Sequence, residues 1–179
     1  MHPADITEAP PPRVEARRFR RLLFWAAAIV VIALDQLTKA VIRSSLARGE
    51  SWPGPDWPVK VRYVTNTGAA FGILQDQTVF LIVTGLIGLA AIYLYYRYPP
   101  FEHPIVPIAI GMMLGGACGN LIDRIRLGRV TDFVEVGPWP AFNVADSSIS
   151  IAIVVILGGY IFLWPGPQRP LHENAQPDD

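Results

Sequence analysis

Only one cysteine, Cys118, occurs in the 179 residues, so an internal disulfide and a thiolate metal cluster are both excluded. Charge is scarce as well. Asp, Glu, Lys and Arg make up 17% of the chain, against about 25% in ordinary soluble domains, whereas 51% is hydrophobic. Fifteen basic and fifteen acidic residues cancel, which leaves no net field to attract nucleic acid, and no nucleic-acid partner is expected. The three histidines, His2, His103 and His172, fall in the tails or in a short connection. No His, Cys and carboxylate cluster with ligand spacing lies in the apolar segments, so neither a metal nor any other cofactor is expected.

What the chain does contain is apolar length. Four windows, 22–42, 78–96, 104–122 and 147–164, each approach the roughly 20 residues that cross a hydrocarbon core of about 30 Å. The last three carry no Asp, Glu, Lys or Arg, and the first carries Asp35 and Lys39. Arginines at 13, 17, 18, 20 and 21 precede the first window, but the segment continues to polar residues without a clear small-x-small cleavage pattern, so it reads as a retained span. The expected fold is an all-α membrane protein of four transmembrane helices with a small β-containing cap between the first two. The membrane body covers 22–164, with the cap at 43–77. Residues 1–21 and 165–179, rich in Pro, charge and polar side chains, are expected to be disordered tails.

Four spans put both termini on one side, and the arginines before the first span argue that this side is the cytoplasm. Arg43, Arg48, Lys60, Arg62, Arg124, Arg126 and Arg129 then lie outside, so the charge count alone does not settle the orientation. The cap holds "SWPGPDWP" and then "VKVRYV", whose alternation predicts a short strand or hairpin around 59–64. Trp52 and Trp57 suit an interfacial aromatic belt.

Polar residues converge on the outer ends of the spans. Asp35 and Lys39 share a helix face four residues apart, and an intramembrane pair of this kind faces a bundle interior more often than lipid. Asn66 to Gly72 precede the second span, Asn120, Asp123 and Arg124 end the third, Asp132 lies in the following loop, and Asn143 and Asp146 open the fourth. Gly111, Gly115 and Gly119 form two G-x-x-x-G steps that permit close helix approach. Asp146 reads as an N-cap and Asp132 as a loop acid when each is taken alone. Two carboxylates brought together would instead give an acid and a base able to activate water. Their spacing of fourteen residues does not by itself bring them together.

In this order, "DQLTK" (35–39), "NTGAAF" (66–71), "GGACGNLIDR" (115–124), "GRVTDF" (128–133) and "FNVADS" (142–147) resemble the signal peptidase II family of bacterial membrane aspartic proteases. The resemblance covers roughly 22–164. It implies an inner-membrane enzyme with cytoplasmic termini and an active site near the periplasmic face. The implied reaction is cleavage of prolipoproteins before a diacylglyceryl-modified cysteine. By motif position, Asp132 and Asp146 look like the catalytic dyad, while Asp35, Lys39, Asn66, Gly68, Gly116, Asn120, Arg124, Asn143 and Ala145 match substrate-binding or site-shaping positions. The implied partners are prolipoproteins and membrane phospholipids, and a monomer is expected. Two other readings compete: a small ion-coupled transporter and a lipid-binding scaffold. A transporter should carry polar features on both sides of the midplane, and the inner halves of the second and third spans are bare of charge.

Overall fold

A computed structural model describes residues 13–68, 73–99 and 103–163. The elements are α1 (Arg13–Ser45), β1 (Ser51–Trp52), β2 (Val59–Asn66), α2 (Thr78–Arg97), α3 (Ile105–Leu127), β3 (Val130–Val136) and α4 (Val144–Leu163). All four helices are long and apolar enough to cross a membrane. Their outward faces confirm what surrounds them: Val79, Val154 and Phe162 are largely exposed, which is tolerable only where hydrocarbon replaces water. The chain is a multi-pass membrane protein.

The helix boundaries depart from the apolar windows for identifiable reasons. α1 begins at Arg13, so 13–21, expected as disordered tail, are helical. Once the apolar span nucleates a helix, each added residue gains a hydrogen bond, and Glu15 in the first turn suits the positive end of the dipole. Residues 1–12 and 164–179, including the rest of both expected tails, lie outside the described residues. α3 accepts Pro107 within its first turn, where proline costs little. It runs on to Leu127 and stops at Gly128, whose φ of 71° is left-handed and whose N–H donates to the Arg124 carbonyl at 3.0 Å.

The cap between α1 and α2 carries the expected strand, β2, and the sheet extends beyond it. β1, β2 and β3 form one antiparallel sheet in that order, so the third strand comes from between α3 and α4 and not from the 43–77 segment. The stretch holding Asp132, expected as loop, is this strand. Its register pairs Val64 with Asp132 and Asn66 with Val130, and a bridge from Val134 to Phe142 ties its other edge to the approach to α4.

α3 is the central helix, packed by α1, α2 and α4. Gly111 and Gly115 make the α1 contact possible: a Cβ at Gly111 would stand 2.3 Å from the Phe24 carbonyl oxygen, and one at Gly115 would stand 2.7 Å from that of Ala28. Gly119 serves a different purpose, because its Cβ would lie 2.5 Å from Asp35 Oδ2. Toward the opposite end, Phe24, Val106 and Ile110 form the apolar core, with Tyr96 stacked on Phe24 at 3.9 Å.

Candidate active site

The residue immediately before α4 is Asn143, and it, not Asp146, is the N-cap. Asp146 N–H donates to Asn143 Oδ1 at 3.0 Å, and Asn143 N–H donates to Asp146 Oδ2 at 3.2 Å. This reciprocal pair is a capping box with Asp at the third helical position. It leaves Asp146 Oδ1 to accept from Asn120 Nδ2 at 2.8 Å. Asp146 is thereby held by the helix start on one oxygen and by α3 on the other.

Asp132 reaches the same place from β3. Its Oδ1 accepts from Asn143 Nδ2 at 2.7 Å, and its Oδ2 accepts from Asn66 Nδ2 at 3.1 Å. Asn143 therefore bridges the two acids, its side-chain amide on Asp132 and its backbone N–H on Asp146. Asn66 is aimed by Gly68, whose N–H donates to Asn66 Oδ1 at 2.9 Å, turning the amide nitrogen toward Asp132. Gly68 must lack a side chain, since a Cβ would lie 2.6 Å from the Ile73 carbonyl oxygen.

Behind the acids lies a buried ionic layer. Lys39 Nζ stands 2.9 Å from Asp35 Oδ2 and 3.5 Å from Asp123 Oδ2, and donates to Asn120 Oδ1 at 2.9 Å. An ammonium can only donate, so Lys39 fixes which end of the Asn120 amide faces it and leaves the NH2 group for Asp146. Asp35 Oδ1 accepts from the Ala145 N–H at 3.0 Å, which ties α1 to the first turn of α4. Asp123 Oδ2 accepts from the Thr131 N–H at 3.0 Å, while Arg43 Nη1 lies 3.7 Å from Asp123 Oδ1 and donates to Thr131 Oγ1 at 3.1 Å. Two cations thus meet two carboxylates. Among the described residues, no fully buried side-chain nitrogen or oxygen lacks a partner.

A cavity of about 1020 Å³ opens over this assembly, lined by both acids together with Asn66, Asn120, Arg124, Phe142 and Trp139. Its size suits a bound segment of extended peptide more than a single water. Arg124 Nη2 donates to the Gly68 carbonyl at 3.2 Å, placing the guanidinium beside the acids. Asp132 is only 3% exposed. Burial, and then the Asp146 charge, raise its pKa from 3.8 to about 6, against the opposing pull of the Asn66 and Asn143 amides and Lys39.

The sequence-based site residues fall into two groups. Asp132, Asp146, Asn66, Asn120 and Arg124 line the cavity. Asp35, Lys39, Asn143 and Ala145 are fully buried behind it, which suits the site-shaping half of the role that their motif positions imply. Gly116 belongs with the second group, because a Cβ there would lie 2.5 Å from the Ala145 carbonyl oxygen and press α4 off α3. Ala69, Ala70 and Phe71 of the "NTGAAF" motif lie outside the described residues. Gln36, Arg43 and Thr131 carry no site role from sequence, and Asp123 stands there only among the polar residues that end the third span. Gln36 Nε2 donates to Asp35 Oδ2 at 3.1 Å and to the Gly119 carbonyl at 3.1 Å. The available signal was spacing, since Asp123 lies one helical turn beyond Asn120 and Arg43 one turn beyond Lys39.

Known proteins resemble this chain in sequence and fold. A lipoprotein signal peptidase of Moorella thermoacetica is 42% identical over 134 residues, covering 74% of this chain and 89% of the relative. One from Caldanaerobacter subterraneus subsp. tengcongensis is 42% identical over 148 residues, covering 79% and 99%. A solved bacterial membrane enzyme superposes with a TM-score of 0.73 at 28% identity, covering 82% of this chain and 92% of its own. A second, also a bacterial membrane enzyme, gives 0.68 at 31% identity, covering 79% and 92%. The family described as signal peptidase (SPase) II matches residues 27–162. That match decides against the transporter and scaffold readings and makes the protein a peptidase: with α2, α3 and most of α1 and α4 inside the match, the chain belongs to the signal peptidase II family.

Proposed function

We propose that this chain removes signal peptides from prolipoproteins by hydrolysing the peptide bond before a diacylglyceryl-modified cysteine, with Asp132 and Asp146 as the catalytic pair. The observation that carries the reading is that two acids from different elements line one cavity and share Asn143 between them. Two such carboxylates hold one proton between them most readily. We assign that proton to Asp132, whose buried carboxyl has its pKa raised to about 6. Asp146, held by the Asn120 amide and the helix start, is the base. Water gives its proton to Asp146 as its oxygen attacks the scissile carbonyl carbon, and Asp132 donates to the carbonyl oxygen. When the tetrahedral intermediate collapses, the C–N bond breaks, the carbonyl re-forms by returning its proton to Asp132, and Asp146 delivers its proton to the departing amine of the lipidated cysteine. The monoprotonated pair is thus restored. Arg124, beside the acids and bonded to Gly68, holds the substrate backbone or its ester oxygens.

The location follows from the same chemistry. A substrate anchored by acyl chains enters sideways from the bilayer and presents its scissile bond at the interface, where the acids sit at the ends of the spans. The arginine-rich start of α1 supports cytoplasmic termini in the inner membrane and a site near the periplasmic face. Both acids come from one chain, which suits a monomer, and membrane phospholipids surround it. The test is hydrolysis of a lipidated prolipoprotein by the full chain in detergent, compared with Asp132→Asn and Asp146→Asn. Both variants are expected to lose cleavage by at least about a thousandfold. Cleavage that survives both substitutions sinks the proposal.

A further inference from the structure

A second cavity, of about 360 Å³, lies deeper in the bundle than the acids. It is lined by Ile92 and Tyr95 of α2, Ile110 and Met113 of α3, and Ile153 and Leu157 of α4. α2 and α4 each pack on α3 but make next to no contact with each other. The cavity is therefore a groove floored by α3 and open to the hydrocarbon between two spans, where only an apolar occupant can enter.

Two observations connect this groove to the acid site. Ile149 of α4 lines the acid cavity, and Ile153, one turn further along the same helix face, lines the groove. Depth also matches. At the helical rise, Ile153 lies about 10 Å and Leu157 about 16 Å from the level of Asp146. A long acyl chain anchored at the interface reaches about 15 Å, half the hydrocarbon thickness. A chain half that long ends short of Ile153.

We infer that the groove between α2 and α4 receives one acyl chain of the substrate's diacylglyceryl group, and that Met113, Ile153 and Leu157 set the enzyme's preference for acyl length. The inference rests on the peptidase reading above. Hydrocarbon moving from bilayer to groove gains no hydrophobic energy, because lipid tails are as apolar as Ile. Selectivity comes from fit: a chain that fills the groove fixes the glyceryl cysteine, and with it the scissile bond, over the acids.

The experiment uses the full chain in nanodiscs with lipobox peptides whose cysteine carries either two eight-carbon or two sixteen-carbon acyl chains. The ratio of kcat/KM for long over short chains is measured for wild type, Ile153→Trp and Ile153→Ala. Filling the groove with Trp is expected to lower that ratio about tenfold, and Ala, which enlarges it, to raise the ratio. A ratio within about twofold of wild type in both variants overturns the inference. A sixteen-carbon substrate bearing a photoreactive diazirine at the acyl end gives a readout on the unaltered protein. Labelling at 91–95, 110–113 and 153–157 supports the groove. Labelling elsewhere, or labelling abolished by excess phosphatidylglycerol alone, assigns the groove to bulk lipid and overturns it. If wild type cleaves neither peptide, the underlying peptidase reading fails. If it cleaves both with an unchanged ratio in the variants, only the groove assignment fails.

Discussion

Raising the pH from about 4 to about 7.5 should destabilise the wild-type chain relative to an Asp132→Asn variant, because the wild type must ionise a carboxyl that the fold holds protonated. Asp132 has a pKa of 3.8 in an ordinary setting and about 6 here. Between those values the folded protein holds a proton that the unfolded chain has released, so stability falls as pH rises through the window. The favourable part is fully present below 3.8 and lost above about 6. At 1.36 kcal/mol per tenfold, the raised value corresponds to about 3 kcal/mol. For a chain of this length that is roughly 6 to 12 °C in Tm. Asn at position 132 has no charge to bury, although its NH2 group must face either the Asn66 or the Asn143 amide, a donor against a donor. That penalty is independent of pH and shifts the variant's whole curve without changing its slope. The five tryptophans make intrinsic fluorescence a direct probe of melting in detergent. The expected result is a wild-type Tm that drops against the variant's across this range. A difference that is flat, or that grows in favour of the wild type as pH rises, refutes the claim that burial and Asp146 hold the Asp132 proton.

Two further outcomes follow from the packing. Replacing Lys39 by Met leaves Arg43 as the remaining cation against buried Asp35 and Asp123 and removes the donor that orients Asn120; the expected loss is about 3 to 5 kcal/mol. Asp35→Asn in the same chain should recover part of that in thermal unfolding, and equal stability of Lys39→Met and wild type contradicts the ionic layer. Gly116→Ala should cost about 1 to 3 kcal/mol, because its methyl meets the Ala145 carbonyl and Ser148 Oγ at 2.5 Å. Gly88→Ala, with open space around the added methyl, should melt within about 2 °C of wild type.

The spans were legible because crossing hydrocarbon needs only length and apolarity, both local properties of the chain. Their ends were less so. α1 continues through arginines that no hydropathy window includes, and α4 begins three residues before its apolar run because the Asn143 and Asp146 box starts it. Strand β3 was read as loop even though "VTDFVEV" is rich in β-branched and aromatic residues. Its partner β2 lies more than sixty residues earlier, and a pairing over that distance leaves no mark in either segment alone.

The acid pair shows the same division more sharply. Motif order named both acids, but neither sequence spacing nor helix periodicity could bring them together, because one sits on a strand and the other on a helix. What joins them is donor and acceptor arithmetic among three asparagines. Lys39 turns Asn120 toward Asp146, Gly68 turns Asn66 toward Asp132, and Asn143 serves both acids at once. Each amide has one orientation that satisfies its neighbours, so the buried cation and the glycine N–H act on the acids without touching them. Lys39 and Asp35 therefore belong to the site although they are sealed from the cavity. The intramembrane ion pair, expected from sequence to face the bundle interior, fixes the direction of hydrogen bonds one layer away, which is why its removal should be felt in both stability and turnover.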